Sequence, residues 1–173
     1  KRTIFNLLGP LLNPARPDYQ LIGVFDPAFG PIFADILARL GRRVAWAVHG
    51  TTENGAGMDE LSTLGPSQVW STSDPDRVAS AILPSSLPLG HATLEDLQGG
   101  DASENAAIIT GILEGKIRGP KRDIVALNAA AGLVITGKAP DLSKGLEMAN
   151  RSLDEGGALS VLDRWRDLSR RSS

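Results

Sequence analysis

An α/β domain built on a partial parallel sheet with flanking helices is the fold class this sequence predicts, and three observations predict it. Short runs rich in apolar and β-branched residues, 19–25 and 44–49, are bounded by Gly, Pro or Arg and read as buried strands. Between them Ile32, Phe33, Ile36, Leu37 and Leu40 fall at helical spacing. Further helical patterns then run from Asp101 toward the C-terminus. The bulk numbers agree, since 173 residues at 42% hydrophobic and 22% charged suffice for one domain with its own core. A net charge of -2 supplies no general basic field for nucleic acid or an anionic membrane. The absence of cysteine excludes a disulfide framework and thiolate chemistry. No apolar run approaches the roughly 18 residues of a membrane span. The expectation is a cytoplasmic protein with neither a nucleic-acid nor a membrane partner.

Taken in order, Pro31 suits the first position of the first helix and Gly41 lies just past its end. A strand, helix, strand unit implies parallel strands with a right-handed crossover, and ligands of such sheets sit beyond the carboxyl ends of the strands. The segment after His49 is therefore the place to look. A weaker strand at 68–72 follows the turn Gly65-Pro66, and residues 73–98, rich in Pro and Ser without clean periodicity, read as irregular. Asp101 and Glu104 have the spacing of a capping box, followed by a stripe of Ile109, Ile112, Leu113 and Ile117. Residues 124–135 are apolar nearly all round, which asks for burial on several sides. Asp141 can cap a further helix using Leu142, Leu146, Ala149 and Leu153. Leu159, Leu162, Trp165 and Leu168 mark a last one after Gly156-Gly157, and residues 170–173 should fray. Two or three parallel strands make a thin sheet, and Lys1-Arg2-Thr3 opens without an initiator methionine, so both features suggest sequence upstream.

The stretch from Arg2 through Thr3-Ile4-Phe5-Asn6-Leu7-Leu8-Gly9-Pro10-Leu11-Leu12-Asn13-Pro14 carries a resemblance. It continues through Gln20-Leu21-Ile22-Gly23-Val24, Val48-His49-Gly50, Gly57-Met58-Asp59-Glu60-Leu61-Ser62, Gly65-Pro66, Gly99-Gly100-Asp101, Asn105-Ala106 and Leu127-Asn128-Ala129-Ala130-Ala131. These segments are similar to those of the anthranilate phosphoribosyltransferases, and they span nearly the whole chain. The resemblance implies a small helical domain packed on a larger α/β domain. Residues 1–14 would be the hinge and helical-domain segment, and 15–173 the C-terminal part of the α/β domain. It implies transfer of the phosphoribosyl group of 5-phosphoribosyl 1-diphosphate to the amine of anthranilate, with release of diphosphate, in tryptophan biosynthesis. The intact family fold is a homodimer. The helices that form that dimer and the glycine-rich loop that cradles the diphosphate have no counterpart in this sequence, so the isolated chain is expected to be inactive. Two other readings start from the same architecture: a pyrimidine nucleoside phosphorylase-like enzyme, and a non-catalytic relative that binds nucleic acid.

The chemistry implied is dominated by the leaving group, because an aromatic amine is already neutral with a free lone pair. Departing diphosphate concentrates negative charge, and Mg2+ bridging phosphates is the natural device. Asp59 and Glu60 match the family's magnesium pair. Adjacent acidic residues alone mean little, since 20 acidic residues in 173 yield about two such pairs by chance and Glu95-Asp96 and Asp154-Glu155 also occur. Position separates them: Asp59-Glu60 follows a core strand, in a loop where both carboxylates can turn to one ligand. Arg2 matches the arginine that holds the anthranilate carboxylate, a task suited to a planar guanidinium making two parallel hydrogen bonds. Asp101 after Gly99-Gly100 reads as a helix cap, Asn128 as a hydrogen-bonded core residue and His49 as a structural histidine. Relative to the family, residues 51–56 lengthen the loop before the pair, and their polar, Gly-containing sequence can bulge into solvent.

Overall fold

The structure, a computed structural model, describes residues 9–171. After a 3-10 turn at Gly9–Leu11 come β1 (Tyr19–Gly23), α1 (Gly30–Arg39) and β2 (Val44–Thr51), the strand, helix, strand unit expected from the sequence. Pro31 sits in the first turn of α1, and Gly41 beyond its end takes φ +79°, a left-handed conformation that only glycine adopts without strain. β3 (Gly57–Met58), β4 (Ser67–Ser71) and β5 (Asp74–Ile82) complete the sheet. The helices α2 (Leu94–Leu97), α3 (Ala102–Leu113), α4 (Pro120–Ile135), α5 (Leu142–Asp154) and α6 (Gly157–Arg171) follow.

Strand order is β1-β2-β4-β5, with β3 also paired to β2. β1 and β2 are parallel, in register from Tyr19 with Val44 to Gly23 with Val48, whereas β3, β4 and β5 join antiparallel. The parallel part of the sheet is thus a single strand pair. Parallel return needs a crossover that passes over the sheet, usually a helix, and residues 52–66 form none, so β4 comes back beside β2 as an antiparallel neighbour. β5 falls in the stretch expected to be irregular. It is the edge strand, where Pro75 near its start removes no essential ladder bond.

Strand alternation divides the core in two. Ile22, Ala45, Ala47 and Trp70 face α1, against Phe33, Ala34 and Leu37. Val48, Val69 and Ile82 face the other way, against Leu61, Ile112, Ala126, Leu127, Ala130 and Ala131 with Leu146, Ala149 and Leu153. The Asp101–Glu104 capping box is present in both directions at 2.9 Å, and Asp141 caps α5 through the Lys144 amide at 2.8 Å. α4 and α5 pack so closely that a Cβ on Gly145 would lie 2.9 Å from both the Cβ and the carbonyl oxygen of Ala130. Arg122, buried in α4, binds the Asn150 side chain and carbonyl and reaches Asp154 at 2.9 Å, so the two helices are also tied by charge-assisted bonds. That guanidinium lowers the pKa of the Asp154 carboxyl.

α4 is covered on more than one side, as expected, by α5, by the sheet and by α2, with Val125 left exposed; α6 departs from expectation. α6 forms but buries no residue, leaving Val161, Trp165 and Leu168 exposed, and it stays helical through Arg171. Replacing Gly145 by Val should cost about 1–3 kcal/mol, because the Ala130 backbone cannot yield to the added methyls. Denaturant unfolding of the variant against the parent chain checks this.

Candidate functional site

β3 pairs with the end of β2, Gly50 with Met58 and Thr51 with Gly57, on the edge that β1 occupies as far as Val48. β1 and β3 therefore meet end to end. Leaving β3, the chain runs straight at Gly23 and has to pass over it. A Cβ on Gly23 would stand 1.5 Å from the carbonyl oxygen of Asp59. On β2, a Cβ on Gly50 would stand 2.4 Å from the Glu60 carbonyl oxygen and 2.8 Å from Ser62 Cβ. Both strand ends carry glycine where the acidic segment crosses them, which brings Asp59 and Glu60 to the carboxyl edge of the parallel pair.

Beyond Glu60 the loop is held by a dense set of bonds. Ser62 is fully buried; its hydroxyl donates to the Thr51 carbonyl at 2.6 Å and accepts from the Leu64 amide at 3.0 Å. The Ser62 amide donates to Ser67 Oγ at 2.9 Å. Asn128, from α4, takes the Leu61 amide on its Oδ1 at 3.0 Å and donates through Nδ2 to the Leu61 and Ile124 carbonyls, each at 3.0 Å. Its Nδ2 also approaches Glu60 Oε2 at 3.5 Å. Before the pair, residues 53–57 are exposed and the turn is closed by the Thr52 amide on the Ala56 carbonyl at 2.8 Å, so this turn bulges outward.

Asp59 is exposed and Glu60 half-buried. Burial raises the pKa of the Glu60 carboxyl, and the neighbouring Asp59 charge raises it further. Two carboxylates so placed repel one another, and a cation between them relieves the repulsion. Among the described residues no cluster of three or more His, Cys, Asp or Glu could close a cage around a metal. The donor set fits a hard divalent ion that keeps water and takes its remaining oxygens from a ligand, the habit of Mg2+.

His49 is buried, and its Nδ1 donates to the Val24 carbonyl at 2.8 Å. It lines a cleft of about 780 Å³ with Phe25, Asp26, Thr51, Gly57 and Gln68 at the same end of the sheet. The structural readings of Asp101, Asn128 and His49 agree with these bonds. Sequence reasoning missed Gly23 and Gly50 as crossing points and Asn128 as a partner of this loop. Glycine at both strand ends was the available signal for the first. Arg2 lies outside the described residues.

The family described as "Glycosyl transferase family, a/b domain" matches residues 1–159. The chain belongs to this family. Within it, the chain is 43% identical over 172 residues to the anthranilate phosphoribosyltransferase of Paramagnetospirillum magneticum, covering 99% of this chain and 48% of that protein. It is 44% identical over 170 residues to that of Chloroflexus aggregans, covering 98% and 49%. Among solved structures, the anthranilate phosphoribosyltransferase of Thermus thermophilus superposes with a TM-score of 0.83 at 41% identity, over 95% of this chain and 47% of that one. The Saccharomyces cerevisiae enzyme in complex with PRPP and Mg gives 0.83 at 28% identity, over 96% and 47%. The chain thus spans about half the length of the family members it matches.

Two glycines of the fold should respond oppositely to one methyl. Gly23→Ala drives its Cβ into the Asp59 carbonyl and should lower stability by about 1–3 kcal/mol or more. Gly132→Ala, inside α4 with nothing within 4 Å of the new Cβ, should be neutral or raise it by up to about 1 kcal/mol. Thermal melts of the two variants side by side decide it.

Proposed function

We propose that the protein to which this chain belongs transfers the phosphoribosyl group of 5-phosphoribosyl 1-diphosphate (PRPP) to the amine of anthranilate, releasing diphosphate. The observation that carries this reading is the Asp59-Glu60 pair held at the carboxyl edge of the parallel strands, in a chain that matches anthranilate phosphoribosyltransferases over nearly its full length. The T. thermophilus likeness and the PRPP and Mg complex of the yeast enzyme support it.

In this reading Asp59 and Glu60 hold Mg2+ and through it the substrate phosphates. The bound ion would neutralise charge on the departing diphosphate. Glu60 is fixed by the Leu61 and Ser62 anchors behind it, and exposed Asp59 faces the incoming ligand. The acceptor amine needs no strong base, so the work of the protein is to align the two reactants and shield the separating charges. Arg2 would hold the anthranilate carboxylate in a bidentate pair. Residues 1–14 would form the hinge and helical-domain segment and 15–173 the C-terminal part of the catalytic domain. The glycine-rich diphosphate loop would come from the other half, so this chain alone is inactive. The intact enzyme is a cytoplasmic homodimer in this reading, acting in tryptophan biosynthesis.

Loss of anthranilate fluorescence with Mg2+ and PRPP tests the reading. The 173-residue chain alone should be silent, and addition of a separately made N-terminal half should restore turnover. Asp59→Ala with Glu60→Ala should lower the complemented rate by about 100-fold or more, the scale on which lost transition-state charge stabilisation acts. Turnover by the chain alone would refute the division of labour. A well-folded complemented pair with no turnover would refute the transferase reading.

A further inference from the structure

Asn128 sits in α4, an apolar helix that otherwise turns Ala126, Leu127, Ala130 and Ala131 into the core. A carboxamide there needs partners, and it finds them on a loop 67 residues earlier in the chain. The bonds from Oδ1 to the Leu61 amide and from Nδ2 to the Leu61 carbonyl copy the two-way pairing of neighbouring β-strands, made here by one side chain. The amide orientation is unambiguous. Reversed, its NH2 would face an N–H and its oxygen would face two carbonyls. The same Nδ2 lies 3.5 Å from Glu60 Oε2, so the group that locks the Leu61 backbone also presents its positive edge to the carboxylate next door.

No other described side chain reaches the Leu61 backbone with a hydrogen bond in both directions. Ser62 and Ser67 anchor the far side of the loop, toward β2 and β4, and Asn128 supplies the hold on its α4 side. Leu61 itself is fully buried in the α4-facing core, which keeps its backbone within reach of Asn128.

We propose that Asn128 is a positioning residue: its carboxamide fixes the Leu61 peptide and, through it, the direction in which Glu60 presents its carboxylate to a divalent cation. The functional part of this inference rests on the reading of Asp59 and Glu60 as the metal holders. The clamp itself does not.

Two readouts on the isotopically labelled 173-residue chain test it: hydrogen exchange of the Leu61 amide without metal, and line broadening at Asp59 and Glu60 on titration with Mn2+. Asn128→Ala removes the clamp, while Asn128→Asp keeps the acceptor for the Leu61 amide, loses the donor and sets a like charge beside Glu60. Leu37→Val, a core change in α1 on the other face of the sheet, controls for general loss of stability. The expected result is Leu61 exchange faster by about fivefold or more in Asn128→Ala than in the control of equal melting temperature. A several-fold higher Mn2+ concentration should be needed for half-maximal broadening in Asn128→Ala, whereas Asn128→Asp, whose added carboxylate attracts the cation, should not raise it. Unchanged Leu61 exchange overturns the clamp. Faster exchange with an unchanged Mn2+ midpoint overturns the positioning role. Absence of Mn2+ broadening at Asp59 and Glu60 in the parent chain instead refutes the metal reading of that pair, whatever the exchange data say.

Discussion

The crossing of the acidic segment over Gly23 and Gly50 is the constraint on which the site depends. β1 and β3 occupy one edge of β2 end to end, so the chain leaving β3 collides with the end of β1 unless it climbs over it. Glycine at both strand ends removes the side chains that would block that climb. Everything beyond follows from where the chain lands. Leu61 drops into the core against α4, Ser62 turns inward to bind Thr51, and the two carboxylates between crossing and core are left at the sheet edge. Acidic side chains gathered this way are costly, as the raised pKa of Glu60 records. Core burial of Leu61 and the bonds around it offset that cost.

Much of this was legible in the sequence where the signal is local. The caps at Asp101 and Asp141, the glycine ending α1 and the strands β1, β2 and β4 are each specified by residues within a few positions of one another. β5 was not legible, because Asp74-Pro75-Asp76-Arg77 reads as a loop and only its place at the sheet edge lets such a sequence pair. α6 shows the opposite failure. Its apolar stripe has sound helical periodicity, but periodicity states that a face is apolar and not that something covers it.

The site divides along the same line. Asp59-Glu60 could be singled out from the other acidic pairs by its place after a core strand. The Asn128 contact could not, because a polar residue in an apolar helix announces that it needs a partner without saying which one. The same holds for Gly23: a glycine ending a strand signals a close approach, and only the topology shows that Asp59 is what approaches.

The 67-residue separation of Leu61 and Asn128 also bears on the order in which the molecule assembles. The β2–β3–β4 segment is a set of hairpins closed by local bonds, and it can pair early at small entropic cost. The acidic loop within it has no grip on its α4 side until that helix has been synthesised and docked. A sheet formed before α4 docks would therefore lack the Asn128 bonds to Leu61. Completion of the loop reports that the helical layer has closed over the sheet.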